Sequence, residues 1–110
     1  MQGFDPLISL KTHVALLSLY EEAKNFVEDK KGLTSAIGKI VGQAIVTELD
    51  ESKKKMRENK MWIDENPLFG KRYRYSLNGR KFECDVSEAD LTFYQSLVQQ
   101  TIETKISSLP

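Results

Sequence analysis

The sequence has a single cysteine and a single histidine, and this scarcity excludes several kinds of site. Cys84 has no partner within the chain for a disulfide, which is typical of a reducing compartment, so we expect a cytoplasmic protein. One histidine and one cysteine are too few for the usual tetrahedral zinc sites. The sequence also lacks a glycine-rich phosphate-binding loop. We therefore expect neither a metal nor a cofactor.

The sequence offers little for nucleophilic catalysis, which needs a base beside the nucleophile. His13 lies among apolar residues of a predicted helix, which favours a structural or surface role. Cys84 falls on the inward side of a predicted hairpin, where a buried thiol is inert. Asp64 and Glu65 follow Trp62 and would suit a cleft, but carboxylates at a turn more often only solvate it. We expect a protein that is not an enzyme and has no catalytic residue.

Long apolar runs and disorder-promoting residues are also missing. No stretch has the length and apolar character of a membrane span, and the N-terminal residues lack the basic segment of a signal peptide, so we expect no membrane partner. Three prolines and six glycines among 110 residues predict no long disordered region. The length suits a single domain, residues 1–110, with one hydrophobic core that needs no metal or disulfide.

The net charge is zero, but the charges are unevenly distributed along the chain. Residues 53–81 carry ten lysines or arginines against three acidic residues, which gives a net charge of +7. Residues 1–50 and 87–110 each have a net charge of −2. The central segment is therefore the part of the sequence that suggests a polyanionic partner.

Three segments have the apolar spacing of amphipathic helices. The first is residues 6–29, with Asp5 as its N-cap. The second begins near residue 34 and runs toward Lys60, as one helix or as two. The third follows a capping box at residues 87–90 and runs to about Ser107.

The pair Asn78-Gly79 lies between two alternating runs and predicts a type I′ hairpin of residues 71–77 and 80–86. Counting outward from the turn gives the register, including these pairs: Tyr75 opposite Phe82, Arg74 opposite Glu83, and Arg72 opposite Asp85. The aromatic residues and Cys84 then share one face of the hairpin. Two arginine–acid pairs share the other face, where we expect the charges to cancel.

Residues 62–70 are predicted to be a connector, because Pro67 favours an extended backbone before it. Four of its side chains are too apolar for a solvated loop, so we expect them on the core: Trp62, Ile63, Leu68 and Phe69. Together these elements predict an α+β fold, mostly helical, in the order α-α-β-β-α. One antiparallel β-hairpin with the Asn78-Gly79 turn is packed on three helices.

The wide apolar stripes of the three helices favour a small non-enzymatic protein-interaction or regulatory module that self-associates as a homodimer. Three helices and a hairpin of this length leave apolar surface uncovered, and such patches bind partners. The predicted self-association face contains two glycines four residues apart and two residues of the last helix: Gly38, Gly42, Phe93 and Leu97. The alternative is a compact monomer whose stripes all face inward.

The central basic residues favour a second hypothesis, nucleic-acid binding. The predicted contacts to nucleic acid or to an acidic partner are Lys53, Lys54, Arg57, Lys60, Lys71, Arg80 and Lys81. A helix followed by a hairpin rich in arginine and tyrosine resembles, in architecture alone, the recognition helix and wing of winged-helix regulators. That arrangement requires two helices, residues 34–42 and 43–60. Against it, acids oppose the hairpin arginines, and lysines near a helix C-terminus are favoured without any ligand.

Overall fold

The computed structural model describes residues 4–29 and 33–107. The chain forms three helices and one antiparallel sheet of strand order β1-β2-β3. In chain order the elements are α1 (Pro6–Asp29), α2 (Leu33–Glu58), β1 (Met61–Ile63), β2 (Arg72–Leu77), β3 (Arg80–Asp85) and α3 (Glu88–Ser107). The predicted α+β fold is confirmed, with β1 as an additional strand that makes the order α-α-β-β-β-α.

Side-chain caps fix where α1 and α3 begin. The Oδ1 atom of Asp5 accepts the N–H groups of Leu7 at 3.0 Å and Ile8 at 3.2 Å. At α3, the N–H of Asp90 donates to Ser87 Oγ at 3.0 Å, and the N–H of Ser87 donates to Asp90 Oδ2 at 3.2 Å. Both predicted caps are confirmed, because each satisfies backbone donors that a first helical turn leaves open.

Helix α2 is continuous from Leu33 to Glu58. The structure therefore has one helix where a winged-helix arrangement requires two. Beyond its last turn the backbone of Lys60 is left-handed, with φ of 56°, and turns into β1. Met56, near the end of α2, is 4% exposed and packs on the core. The last turns of α2 thus cover the core with one face while their lysines lie in solvent.

The hairpin register agrees with the prediction at every pair from Arg72–Asp85 to Leu77–Arg80. Both turn residues have positive φ, 53° at Asn78 and 83° at Gly79, as a type I′ turn requires. The expected cancellation of charge is correct only in part. Arg72 binds both acids, Glu83 at 2.5 Å and Asp85 at 3.0 Å. Arg74 forms no ion pair with any residue in the described ranges, because its neighbour already takes the acids.

Strand β1 corrects the prediction for the connector. Met61 and Ile63 are buried, whereas Trp62 between them is 63% exposed. Successive side chains of a strand point to opposite faces, so pairing with β2 places Trp62 on the face away from the helices. Phe69 is also exposed, at 70%, and Leu68 is half-buried. The expected packing on the core is therefore correct for Ile63 and wrong for Trp62 and Phe69.

Two apolar clusters form the core, and α1 contributes to both. One cluster joins α1 and α2 to the sheet: Leu10, Val14, Met56, Met61, Ile63, Tyr75 and Val86. The other lies between the three helices: Leu16, Ile45, Leu49, Val98 and Ile102. Gly32, which the sequence predicts as the C-terminal cap of α1, and Leu109, which it predicts on the apolar face of α3, both fall outside the described residues. Helix α2 also contributes to both clusters, through Met56 to the first and through Ile45 and Leu49 to the second, so the two long helices connect the two parts of the core.

Candidate functional site

His13 forms a hydrogen-bonded network with Ser52 and Glu65, here called the His13 network. Its Nδ1 lies 2.9 Å from Ser52 Oγ on α2, and its Nε2 lies 2.7 Å from Glu65 Oε2 in the segment after β1. A carboxylate only accepts hydrogen bonds, so Nε2–H donates to Glu65, and in the neutral ring Nδ1 then accepts a hydrogen bond from the Ser52 hydroxyl. A neutral imidazole therefore satisfies both partners, and the network joins three elements distant in sequence.

Burial lowers the pKa of His13 below its ordinary value of 6.5. The ring is 0% exposed, so charging it would remove an ion from water into the core. The Glu65 carboxylate raises the pKa of His13. Its side chain, however, is 39% exposed and lies 3.9 Å from the Lys53 ammonium, and both the solvent and this cation weaken its attraction for a charged ring. His13 is therefore neutral at neutral pH.

The order serine, histidine, carboxylate is the one found in hydrolase triads, but its surroundings here do not serve catalysis. Ser52 lies within α2, where the backbone N–H groups bond within the helix and form no oxyanion hole. The His13 ring is sealed from solvent. The network fits the predicted structural role of His13, and Glu65 anchors this ring instead of only solvating a turn.

A groove lies between the three helices and is here called the helical groove, with a volume of about 900 Å³. Its apolar lining comes from the segment around the start of α1 and from α3: Phe4, Ile8, Leu16, Leu97 and Val98. Its charged lining comes mainly from α2: Asp5, Glu48, Glu51, Lys54, Lys55 and Glu58. The groove therefore combines an apolar floor with a rim of both charge signs.

The predicted self-association residues divide between two places. Phe93 and Leu97 lie one turn apart on α3 and are 58% and 44% exposed. Leu97 lines the helical groove with Ile8, which is 51% exposed. Gly38 is buried and Gly42 half-buried on α2, and neither lines the groove. Among the described residues, a Cβ atom at Gly42 would meet nothing within 4 Å apart from its chain neighbours and the backbone of its own helix, so no other described element packs closely there.

The sheet turns one face away from the helices, here called the outer sheet face. The register aligns Trp62, Ser76 and Lys81 in one row across the three strands. The other residues that the register places on this face are Asp64, Arg72, Arg74, Glu83 and Asp85. This face is therefore charged, with one large exposed aromatic ring at its edge.

Basic residues of α2 and of the hairpin turn lie around the Trp62 edge of this face. Arg57 and Lys53 line, together with Trp62, a pocket of about 390 Å³. The carbonyl of Lys60 accepts the N–H of Asn78 at 2.9 Å, which places Lys60 beside the hairpin turn. The end of α2 and the hairpin are thus adjacent in space.

The structure brings five of the seven predicted basic contacts together and separates two. Lys53, Arg57, Lys60, Arg80 and Lys81 lie around Trp62 and the hairpin turn. Lys54 instead lines the helical groove, and Lys71 pairs with Glu88 on α3 at 2.5 Å. Sequence reasoning expected Trp62 on the core, whereas the structure exposes it. The alternation Met61-Trp62-Ile63 was the available signal, and three residues are too few to establish it.

The remaining structural findings concern the Cys84 thiol, metal binding and membrane-spanning helices. Burial raises the pKa of the half-buried Cys84 thiol, so it is protonated at neutral pH. Within residues 4–29 and 33–107, no group of three histidine, cysteine or acidic side chains could hold a metal ion, and no helix is long and apolar enough to cross a membrane.

No protein-family model, curated protein or solved structure matches the chain.

Proposed function

We propose that the protein is a small, non-enzymatic interaction module that self-associates through the helical groove. The observation that supports this most is a solvent-accessible surface area larger than that of a compact monomer of the same mass. The chain exposes 7705 Å², whereas a compact monomer of 12.6 kDa exposes about 6200 Å². Its radius of gyration is 15.0 Å, against about 13 Å for a compact domain of this length.

A single cysteine, protonated as a thiol, supports a cytoplasmic location.

The excess surface, about 1500 Å², is larger than the roughly 800 Å² that one partner buries in a standard interface. Nine large apolar side chains are exposed in the part of the chain that the structure describes. Ile8 and Leu97 share the helical groove, and Phe93 lies one turn from Leu97. Covering the groove would therefore remove apolar surface of Ile8 and Leu97 from water and stabilise the chain.

The charges at the groove favour a second copy of the chain as the occupant. Its rim carries Glu51 and Glu58 together with Lys54 and Lys55, whereas Glu48 already pairs with Lys105 of the same chain. A two-fold dimer places the same patch on both sides, so a rim with both signs can match lysines of one copy with glutamates of the other. The net charge of zero also means that two copies do not repel each other strongly.

Replacing Leu97 with glutamate tests this interface. We expect the wild-type chain to change from monomer toward dimer over an about hundredfold rise in concentration, followed by sedimentation equilibrium. Leu97→Glu should weaken the dimer by more than about tenfold, because association would bury a carboxylate in an apolar groove. The midpoint of thermal unfolding, measured on the dilute monomer, should stay close to that of the wild type.

Val46→Glu is the matched control, since Val46 is 40% exposed on α2 and does not line the groove. It should leave the dissociation constant unchanged. A wild-type chain that stays monomeric at both concentrations would overturn the proposal. Equal weakening by both substitutions would also overturn it, because the contact surface would then not be the groove.

A further inference from the structure

Trp62 is the only tryptophan of the chain, and its exposure of 63% on a sheet face calls for an explanation. Tryptophan is highly buried on average in folded proteins. Here β1 is held at the sheet edge by Met61 and Ile63, which are buried, so Trp62 contributes little to the core. An exposed indole ring on a rigid strand is a flat surface on which another ring can stack.

The charges around this ring are predominantly positive. On the outer sheet face, in the pocket at Trp62 and at the turn, seven cations face four acids: Lys53, Arg57, Lys60, Arg72, Arg74, Arg80 and Lys81 against Asp64, Glu65, Glu83 and Asp85. The net charge of this area is therefore +3. Arg72 holds Glu83 and Asp85, which leaves Arg74 and Lys81 without an ion pair among the described residues. These two cations lie on the same face as Trp62.

We propose that the outer sheet face binds single-stranded nucleic acid. One unpaired base stacks on Trp62, and phosphates of the adjoining nucleotides contact Arg74 and Lys81, with Arg57 and Lys60 at the edge. Stacking on aromatic side chains beside a positive track is the usual way in which proteins hold single strands. The residues of this surface differ from those of the helical groove, so the inference does not depend on self-association.

The exposed ring and the cations beside it fit a single strand better than a nucleic-acid duplex or an acidic peptide. A duplex keeps its base faces stacked inside, so it offers phosphates to the cations but no ring to Trp62. An acidic peptide supplies negative charge without a flat ring for the indole. A single strand combines both groups, and the combination of an exposed Trp62 with Arg74 and Lys81 therefore selects it.

Trp62 provides the readout, because its emission reports only on this surface. We expect a thymidine oligonucleotide of about 12 residues, longer than one small binding site, to quench the fluorescence in a saturable way. The affinity should fall with salt, and log K against log salt should have a slope of about −0.7 for each phosphate contacted. Arg74→Ala and Lys81→Ala should each make that slope shallower by about 0.7.

Two further variants complete the test. Lys39→Ala removes an exposed cation from α2 at a distance from the sheet and should change neither affinity nor slope. Trp62→Ala, followed by the anisotropy of a labelled strand, should lose about fivefold or more in affinity, as stacking of one base contributes about 1–3 kcal/mol. No quenching at low salt would overturn the proposal. Equal affinity for a duplex of the same length or for an oligoglutamate peptide would overturn it as well.

Discussion

Replacing Leu10 with alanine is expected to lower the free energy of unfolding by about 3 kcal/mol. Leu10 is 0% exposed and belongs to the cluster that joins α1 and α2 to the sheet. The substitution removes apolar contacts and leaves a cavity that packed neighbours fill only in part. Natural domains are stable by only about 5–15 kcal/mol, so this is a large fraction of the total. Urea denaturation followed by circular dichroism measures the loss in the free energy of unfolding.

Leu7→Ala is the control for this loss, because it makes the same chemical change in the same helix at a residue that is 44% exposed. Leucine and alanine have similar helix propensities, so the intrinsic effect on α1 cancels between the two variants. Leu7→Ala should lower the free energy of unfolding by less than about 1 kcal/mol. Similar losses in both variants would contradict the assignment of which face of α1 packs on the core.

The parts of the fold that could be predicted from the sequence are those specified by neighbouring residues. Asp5 caps a helix whose first residues follow it directly, and Ser87 and Asp90 bind each other's N–H groups three residues apart. Asn78 and Gly79 supply the two positive φ angles of the turn, and strand alternation then determines the register. Each of these signals is local, so a single sequence is enough to recognise it.

Strand β1 could not be predicted because it is three residues long and exists through its pairing with β2. The same limit explains the error for Trp62, since its face depends on that pairing. The register placed Arg72 and Arg74 near acids but could not determine which arginine takes both of them. That choice depends on side-chain reach across the strands, which the sequence pattern does not contain.

In the candidate sites, too, the sequence reveals the features that neighbouring residues determine and does not reveal those that depend on the packing of distant elements. The apolar spacing of α3 identified Phe93 and Leu97, but their exposure depends on how α3 lies against α1 and α2. The His13 network joins residues 39 and 52 positions apart, and no motif connects them. Sequence reasoning therefore found the apolar and basic residues and missed the partners that the fold brings to them.

Acidification from about pH 7.5 to about 5.5 is expected to lower the free energy of unfolding through His13, the only histidine. Burial holds the pKa of His13 below 6.5 in the folded chain, whereas the unfolded chain has the ordinary value. Between these two pKa values the unfolded chain binds a proton that the folded chain does not. The contribution is therefore complete above 6.5 and is lost as the pH falls toward the folded pKa.

Urea denaturation at several pH values measures this loss, and two variants assign it to the His13 network. His13→Gln has an amide that can bond with Ser52 and Glu65 but does not titrate, so its stability should change little over this range. Glu65→Gln removes the carboxylate that holds the pKa of His13 up, so its loss of stability should extend to lower pH. A wild-type chain more stable at about pH 5.5 than at about 7.5 would contradict the neutral ring. The His13–Glu65 pair would then be ionic in the folded chain, with attraction to the carboxylate outweighing burial.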